Sequence, residues 1–162
     1  MTSESRRELP LPRMDGSVPL PDDLDVAGGW GYSREDRCIL LDFGDEGAGV
    51  PCEYEFIPRR IRQERLRMPD AERFFDFRWE RVRQRLVVDE VDGCRFDVLE
   101  VHVSAVAKED MAALKEALMR HEGATPAFQE ERGRQAWVAV REFWFDLGML
   151  DFPYEMPRGD ED

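Results

Sequence analysis

Residues 78–106 read RWERVRQRLVVDEVDGCRFDVLEVHVSAV, and the conformation of this stretch decides the fold. Asp92-Gly93 is the dipeptide favoured for a two-residue type I′ turn, in which both central residues take positive φ. A turn there sets Val91 against Cys94 and places Glu90 opposite Arg95, Leu86 opposite Leu99, Arg85 opposite Glu100 and Val82 opposite Val103. Two opposite-charge pairs and two aliphatic pairs follow from one assumption, each worth about 0.2–1 kcal/mol. Strand alternation then puts Val82, Leu86, Val88, Leu99, Val101 and Val103 on an apolar face. Arg81, Arg83, Arg85, Glu100, His102 and Ser104 fall on a polar one. The competing pattern is a helix N-capped by Asp70, with Phe75, Trp79, Val82 and Leu86 at 4-3-4 spacing. The hairpin is the expectation carried forward, because a one-residue slip destroys every pair it creates.

Outward from the hairpin, residues 38–43 and 52–57 read as short strands joined by a loop over 44–51, and 136–147 as a strand covered on both sides. Residues 108–122 read as a helix with Met111, Leu114, Leu118 and Met119 on one face and Gly123 as its stop. Residues 58–67 suggest a shorter helix with Pro58 at an opening position. The expected class is α+β: an antiparallel sheet of about five strands with one or two helices packed on it. Residues 1–37, with Pro10, Pro12, Pro19 and Pro21, are expected to form an irregular arm, 38–150 a single domain, and 151–162 an acidic tail.

The chain has 162 residues, 42% apolar and 36% charged, and a formal net charge of −13. No apolar run reaches the ~18 residues a membrane span needs, and no signal-peptide core is visible, so a soluble, cytoplasmic protein is expected. An acidic exterior argues against direct nucleic-acid binding and fits a protein partner, of basic character, steered in by the field. The charge is uneven, with residues 58–85 holding ten arginines against five acids.

Glu100, His102 and Ser104 are the residue types of a nucleophile–base–acid set. Same-face neighbours on a strand, however, sit ~6.5–7 Å apart, too far for a nucleophile–base hydrogen bond. Arg81, Arg83 and Arg85 are candidates for holding a carboxylate or phosphate, with His102 as a pH-sensitive donor beside them. Gly28-Gly29-Trp30-Gly31-Tyr32 combines a permissive backbone with two large rings, so Trp30 and Tyr32 are candidate partner anchors or, alternatively, pins for the arm. Cys38, Cys52 and Cys94 fall at expected strand positions and read as small buried hydrophobes. With two histidines, no HExxH and no CxxC, neither metal nor cofactor is expected. Loop acids at 22–25 and 42–46 match no calcium loop.

Three functions remain open on the sequence. The first is a non-catalytic protein-binding module, similar in general profile, though in no family motif, to bacterial immunity proteins. The second is a small-anion-binding module or hydrolase-like enzyme using the Arg/His face of the sheet. The third is a structural subunit, including a homo-oligomer.

Overall fold

The computed structural model of the chain describes residues 7–41, 49–89, 91 and 93–147. Five strands form one sheet in the order β1-β2-β5-β4-β3. They are β1 (Val26–Gly28), β2 (Cys38–Leu40), β3 (Phe74–Val88), β4 (Arg95–Ala107) and β5 (Trp137–Asp146). Neighbours are antiparallel except β2 and β5, which run parallel. Among the described residues three helices complete the α+β architecture: α1 (Gly49–Leu66), α2 (Met111–Arg120) and α3 (Pro126–Gln135). No described helix is long and apolar enough to cross a membrane. The acidic segment 151–162 lies outside the described residues.

The two sheet faces are covered differently. On one, Phe56, Ile57 and Ile61 of α1 and Leu9, Leu11, Met14 and Trp30 of the N-terminal arm pack on Leu99, Val101, Val103, Ala139, Phe143 and Phe145. On the other, α2 and α3 cover one end only, where Leu114, Ala117 and Phe128 meet Val106 and Phe75. The arm is therefore less irregular than its prolines suggest. It contributes β1, a parallel bridge from Glu8 to Val138, and four buried apolar side chains.

The central hairpin forms, and Asp70 precedes only a single 3-10 turn, Ala71–Arg73. Its register, however, differs from that of a two-residue turn. Val88 lies opposite Arg95, Leu86 opposite Asp97 and Arg83 opposite Glu100. The cause is a longer connection from Asp89 to Cys94. The Asp89 carboxylate accepts from the Val91 amide (2.8 Å), the Gly93 amide donates to the Asp89 carbonyl (2.8 Å), and Gly93 takes φ +75°. An aspartate that caps its own turn competes with the Asp-Gly signal. Glu90 and Asp92 lie outside the described residues.

Two bulges then rearrange the faces, since each inserted residue reverses the alternation. One lies between Phe75 and Arg78, the other between Arg81 and Arg83. At the first, Asp76 adopts φ +54°, and Arg132 holds it there by donating to its carboxylate (2.8 Å) and its carbonyl (2.7 Å). The second separates the expected arginine stripe. Arg81 pairs with Val101 on the α1 side, whereas Arg83 pairs with Glu100 on the opposite face. Val82, Leu86 and Val88, expected in the core, are 48%, 51% and 51% exposed. β3 is the sheet's edge, and α2 and α3 reach only its first residues.

Other expectations are also revised. Residues 52–57 are helical, not a strand: Glu53, Phe56, Ile57, Arg60, Ile61 and Glu64 form a 3-1-3-1-3 buried stripe whose charged members hid it. Cys52 is accordingly on a helix, and Pro58 lies inside α1, where it withholds an amide, not at a helix start. β5 alternates instead of being covered on both sides, with Val140 exposed. On α2 the buried pair is Leu114 and Ala117, while Leu118 and Met119 face outward because α3 packs on the other flank. α3 itself was not anticipated, although Thr125 caps it (Phe128 amide to Oγ1, 3.2 Å) and Pro126 occupies its first turn.

Candidate functional site

The glycine–aromatic segment is a plug. Trp30 is buried, its ring 5.5 Å from that of Phe56, and its indole N–H donates to the Val18 carbonyl (3.0 Å). Gly28 takes φ +82° and Gly31 φ +87°, so the backbone wraps the indole against β2 and β5. The Gly29 amide donates to the Arg37 carbonyl (2.8 Å), and the Gly31 carbonyl accepts from the Trp144 amide (2.8 Å). A Cβ at position 28 would sit 2.5 Å from the Arg37 carbonyl oxygen, while one at Gly16 would meet nothing. Gly28→Ala is therefore expected to cost about 1–3 kcal/mol in urea unfolding and Gly16→Ala close to none. Equal effects would refute the wrapping role.

Tyr32 belongs to a buried ionic network beneath α1. Glu64 accepts from the Tyr32 hydroxyl (2.6 Å), Arg60 Nε (3.0 Å) and Arg141 Nε (3.1 Å). Arg60 also donates to the carbonyls of Glu142 (2.8 Å) and Trp30 (3.3 Å), its guanidinium held 3.7 Å and 3.9 Å from the ring centres of Tyr32 and Phe143. Burial pushes the Tyr32 phenol up to about 12. Arg141 donates to the Leu11 carbonyl and the Tyr32 hydroxyl accepts from the Met14 amide, so the network fastens the arm to helix and sheet.

A second buried pair lies nearer the start of α1. Glu53 and Asp97, 2% and 1% exposed, are neighbours, and both Asp97 oxygens accept from the Gln84 amide at 2.9 Å. Burial, then the Asp97 charge beside it, pushes the Glu53 carboxyl up to about 10. Glu53 therefore keeps its proton at neutral pH, since burial and the neighbouring Asp97 charge both disfavour its anion. Among the described residues, no group of three or more metal-ligating side chains exists.

On the open face, Glu100 and His102 share a side as expected, 3.8 Å apart. The Ser104 hydroxyl instead accepts from Arg132 (3.4 Å). Arg83 lies opposite Glu100, which lies opposite Glu142, and Arg85 pairs with Glu142 at 3.3 Å. Glu80 is opposite His102. Three glutamates against two arginines make this face a mixed polar surface, with no convergent cationic pocket among the described residues.

The remaining feature is the outer side of β3. Beside it, between β3 and α1, runs a shallow groove of about 120 Å³ lined by Pro58, Ile61, Arg62, Arg65, Phe77, Arg78, Trp79 and Val103. The Arg65 guanidinium lies 3.8 Å from the Phe77 ring centre, and Tyr54 stacks on Trp79 with centroids 6.2 Å apart. Among the described residues, Arg62 and Arg83 have no ion-pair partner. Sequence reasoning missed both buried clusters and this groove. The 3-1-3-1-3 stripe in 53–64 was the available signal for the clusters.

The fold and these sites define a five-stranded α+β protein in which, among the described residues, no strand pairs with the outer side of β3. The chain matches no protein-family model, no curated protein and no solved structure.

Proposed function

We propose that this chain is a non-catalytic protein-binding module, acting as an inhibitor or immunity-type protein does, by docking to a partner. The observation that carries this reading is the distal half of β3, where Val82, Leu86 and Val88, followed by Val91, are exposed together on a charged frame. Apolar side chains grouped on an exposed edge mark interaction surfaces. The net charge of −13 supplies a long-range field that favours a basic partner and a salt-sensitive on-rate. Trp30 and Tyr32, considered above as anchors, are committed to the arm. The anion-binding or hydrolase alternative is less well supported, since the second bulge takes Arg81 away from Arg83, Arg85 and His102.

The test is affinity capture from the source cells at low and high salt, in parallel with a Leu86→Glu/Val88→Glu variant. A partner retained by the parent chain, weakened by salt and lost by the variant at unchanged melting temperature is the expected result. Equal capture by both chains, or no partner at either salt, overturns the reading. Light scattering on the same samples reports whether the partner is a second copy.

A further inference from the structure

Arg62 and Arg65 lie about one turn apart on α1, are exposed, and both line the groove between that helix and β3. Neither has an ion-pair partner among the described residues. Elsewhere on the surface Arg7, Arg34, Arg73, Arg85, Arg120 and Arg134 are equally exposed, and each meets a carboxylate. In a chain with 36 acidic residues against 23 basic ones, two neighbouring cations are left over at the rim of a groove. The groove itself is built with an aromatic wall. In a regular strand Phe75 and Phe77 would face the same way. The bulge between Phe75 and Arg78 instead sends Phe75 to the helices α2 and α3 and Phe77 to α1. That bulge holds Asp76 at φ +54° under the grip of Arg132, a local strain of the kind found at binding sites. Trp79 stands beside Phe77 and is backed by the Tyr54 ring.

We propose that this groove binds a small carboxylate carrying a single aromatic ring. The ring would lie against Trp79, Ile61 and Val103, and the carboxylate would meet Arg65 and Arg62. Size limits the ring: the groove holds about 120 Å³, on the order of the ~150 Å³ that houses one benzene. Charge fixes the substituent as an anion, because both polar side chains that α1 contributes to the groove are guanidinium groups. Planarity favours a carboxylate. The Arg65 guanidinium sits 3.8 Å from the Phe77 ring centre, so it spends its face on the ring. Its N–H donors lie in its own plane and point past the ring, in the fork that matches a carboxylate. The stacking also holds the long side chain in place, which lowers the entropy lost on binding. Arg62 adds a second cation without breaking an existing ion pair.

The probes are phenylacetate, its cationic counterpart phenethylamine, and acetate, which lacks the ring. Phenylacetate is expected to bind with a Kd below about 1 mM and to shift the backbone amide NMR signals of residues 61–65 and 77–79. The other two are expected not to bind at the same concentrations. An Arg62→Gln/Arg65→Gln variant is expected to bind phenylacetate roughly tenfold more weakly at unchanged melting temperature, since both side chains are exposed. Arg134→Gln, at an exposed arginine on α3, is expected to bind as the parent does. Should the double variant melt lower, Arg62→Gln alone leaves the Arg65–Phe77 contact intact and carries the same expectation of weaker binding. Absence of phenylacetate binding, equal binding of phenethylamine or acetate, shifts confined to other residues, or an unaffected Arg62 variant overturns the proposal. The protein-docking reading rests on the apolar side chains of residues 82–91 and stands or falls separately, by its own capture experiment.

Discussion

Replacing Arg60 with methionine is expected to lower the unfolding free energy by about 3–5 kcal/mol. The guanidinium is fully buried and bonded to Glu64 and to the carbonyls of Trp30 and Glu142, with the rings of Tyr32 and Phe143 on either side. Methionine fills much of the volume, so the loss comes chiefly from what is left behind: a buried Glu64 carboxylate with one fewer cation, and two carbonyls stripped of a donor. Arg141 stays, which keeps Glu64 from being wholly uncompensated. The double variant Arg60→Met/Glu64→Leu removes the stranded charge and is expected to recover a large part of the loss. A buried ion pair replaced as a unit by apolar groups is often neutral or better. Urea unfolding followed by tryptophan fluorescence measures both. A single-variant loss below about 1 kcal/mol would mean that water reaches Glu64, contrary to its burial.

Glu53→Gln is expected to make the protein more stable above neutral pH and to flatten its stability–pH curve. In the unfolded chain Glu53 has its ordinary value of 4.5, and in the folded protein burial and then the Asp97 charge push it up to about 10. The folded state therefore holds the proton more tightly. The stability this group contributes is fully present below about pH 4.5 and is lost as pH rises toward about 10, with a slope of at most about 1.4 kcal/mol per pH unit. Glutamine keeps the shape and a donor toward Asp97 but cannot ionise. Thermal melts of both proteins from pH 5 to pH 9 should start close together and diverge, with the variant higher at the alkaline end. Parallel curves would show that Glu53 is not the proton-holding member of the pair.

The hairpin was legible because it is local. Alternation over residues 95–106 and a turn-forming segment near 92–93 need no knowledge of the rest of the chain. Its register was less so. Asp89 bonding the Val91 amide, and bulges at 76 and 82, each move the pairing by a residue or two without disturbing composition. The Asp76 bulge depends on Arg132, 56 positions away, and no local pattern contains it. Of the expected polar-face cluster, Arg81, Arg83 and Arg85 are exposed and His102 is half-buried, and the second bulge turns Arg81 to the opposite face from the other three. For α1 the difficulty was different: the helical stripe was present, but three of its six members are charged, and charge on a stripe ordinarily signals solvent.

By itself the sequence determined the α+β class, the central antiparallel ribbon, the helix after it and the basic stretch within an acidic chain. Backbone propensity, alternation and charge are properties of neighbours along the chain. Only the tertiary structure decided that Glu53, Arg60 and Glu64 face inward, that Trp30 is a plug, and that a bulge divides Arg81 and Arg83 between the two faces of β3. Each depends on partners from distant segments: Asp97, Arg141 and Tyr32 for the buried charges, Val18 and Phe56 for the indole. A charged side chain is stable in the interior only when such partners satisfy it, and no local reading contains them.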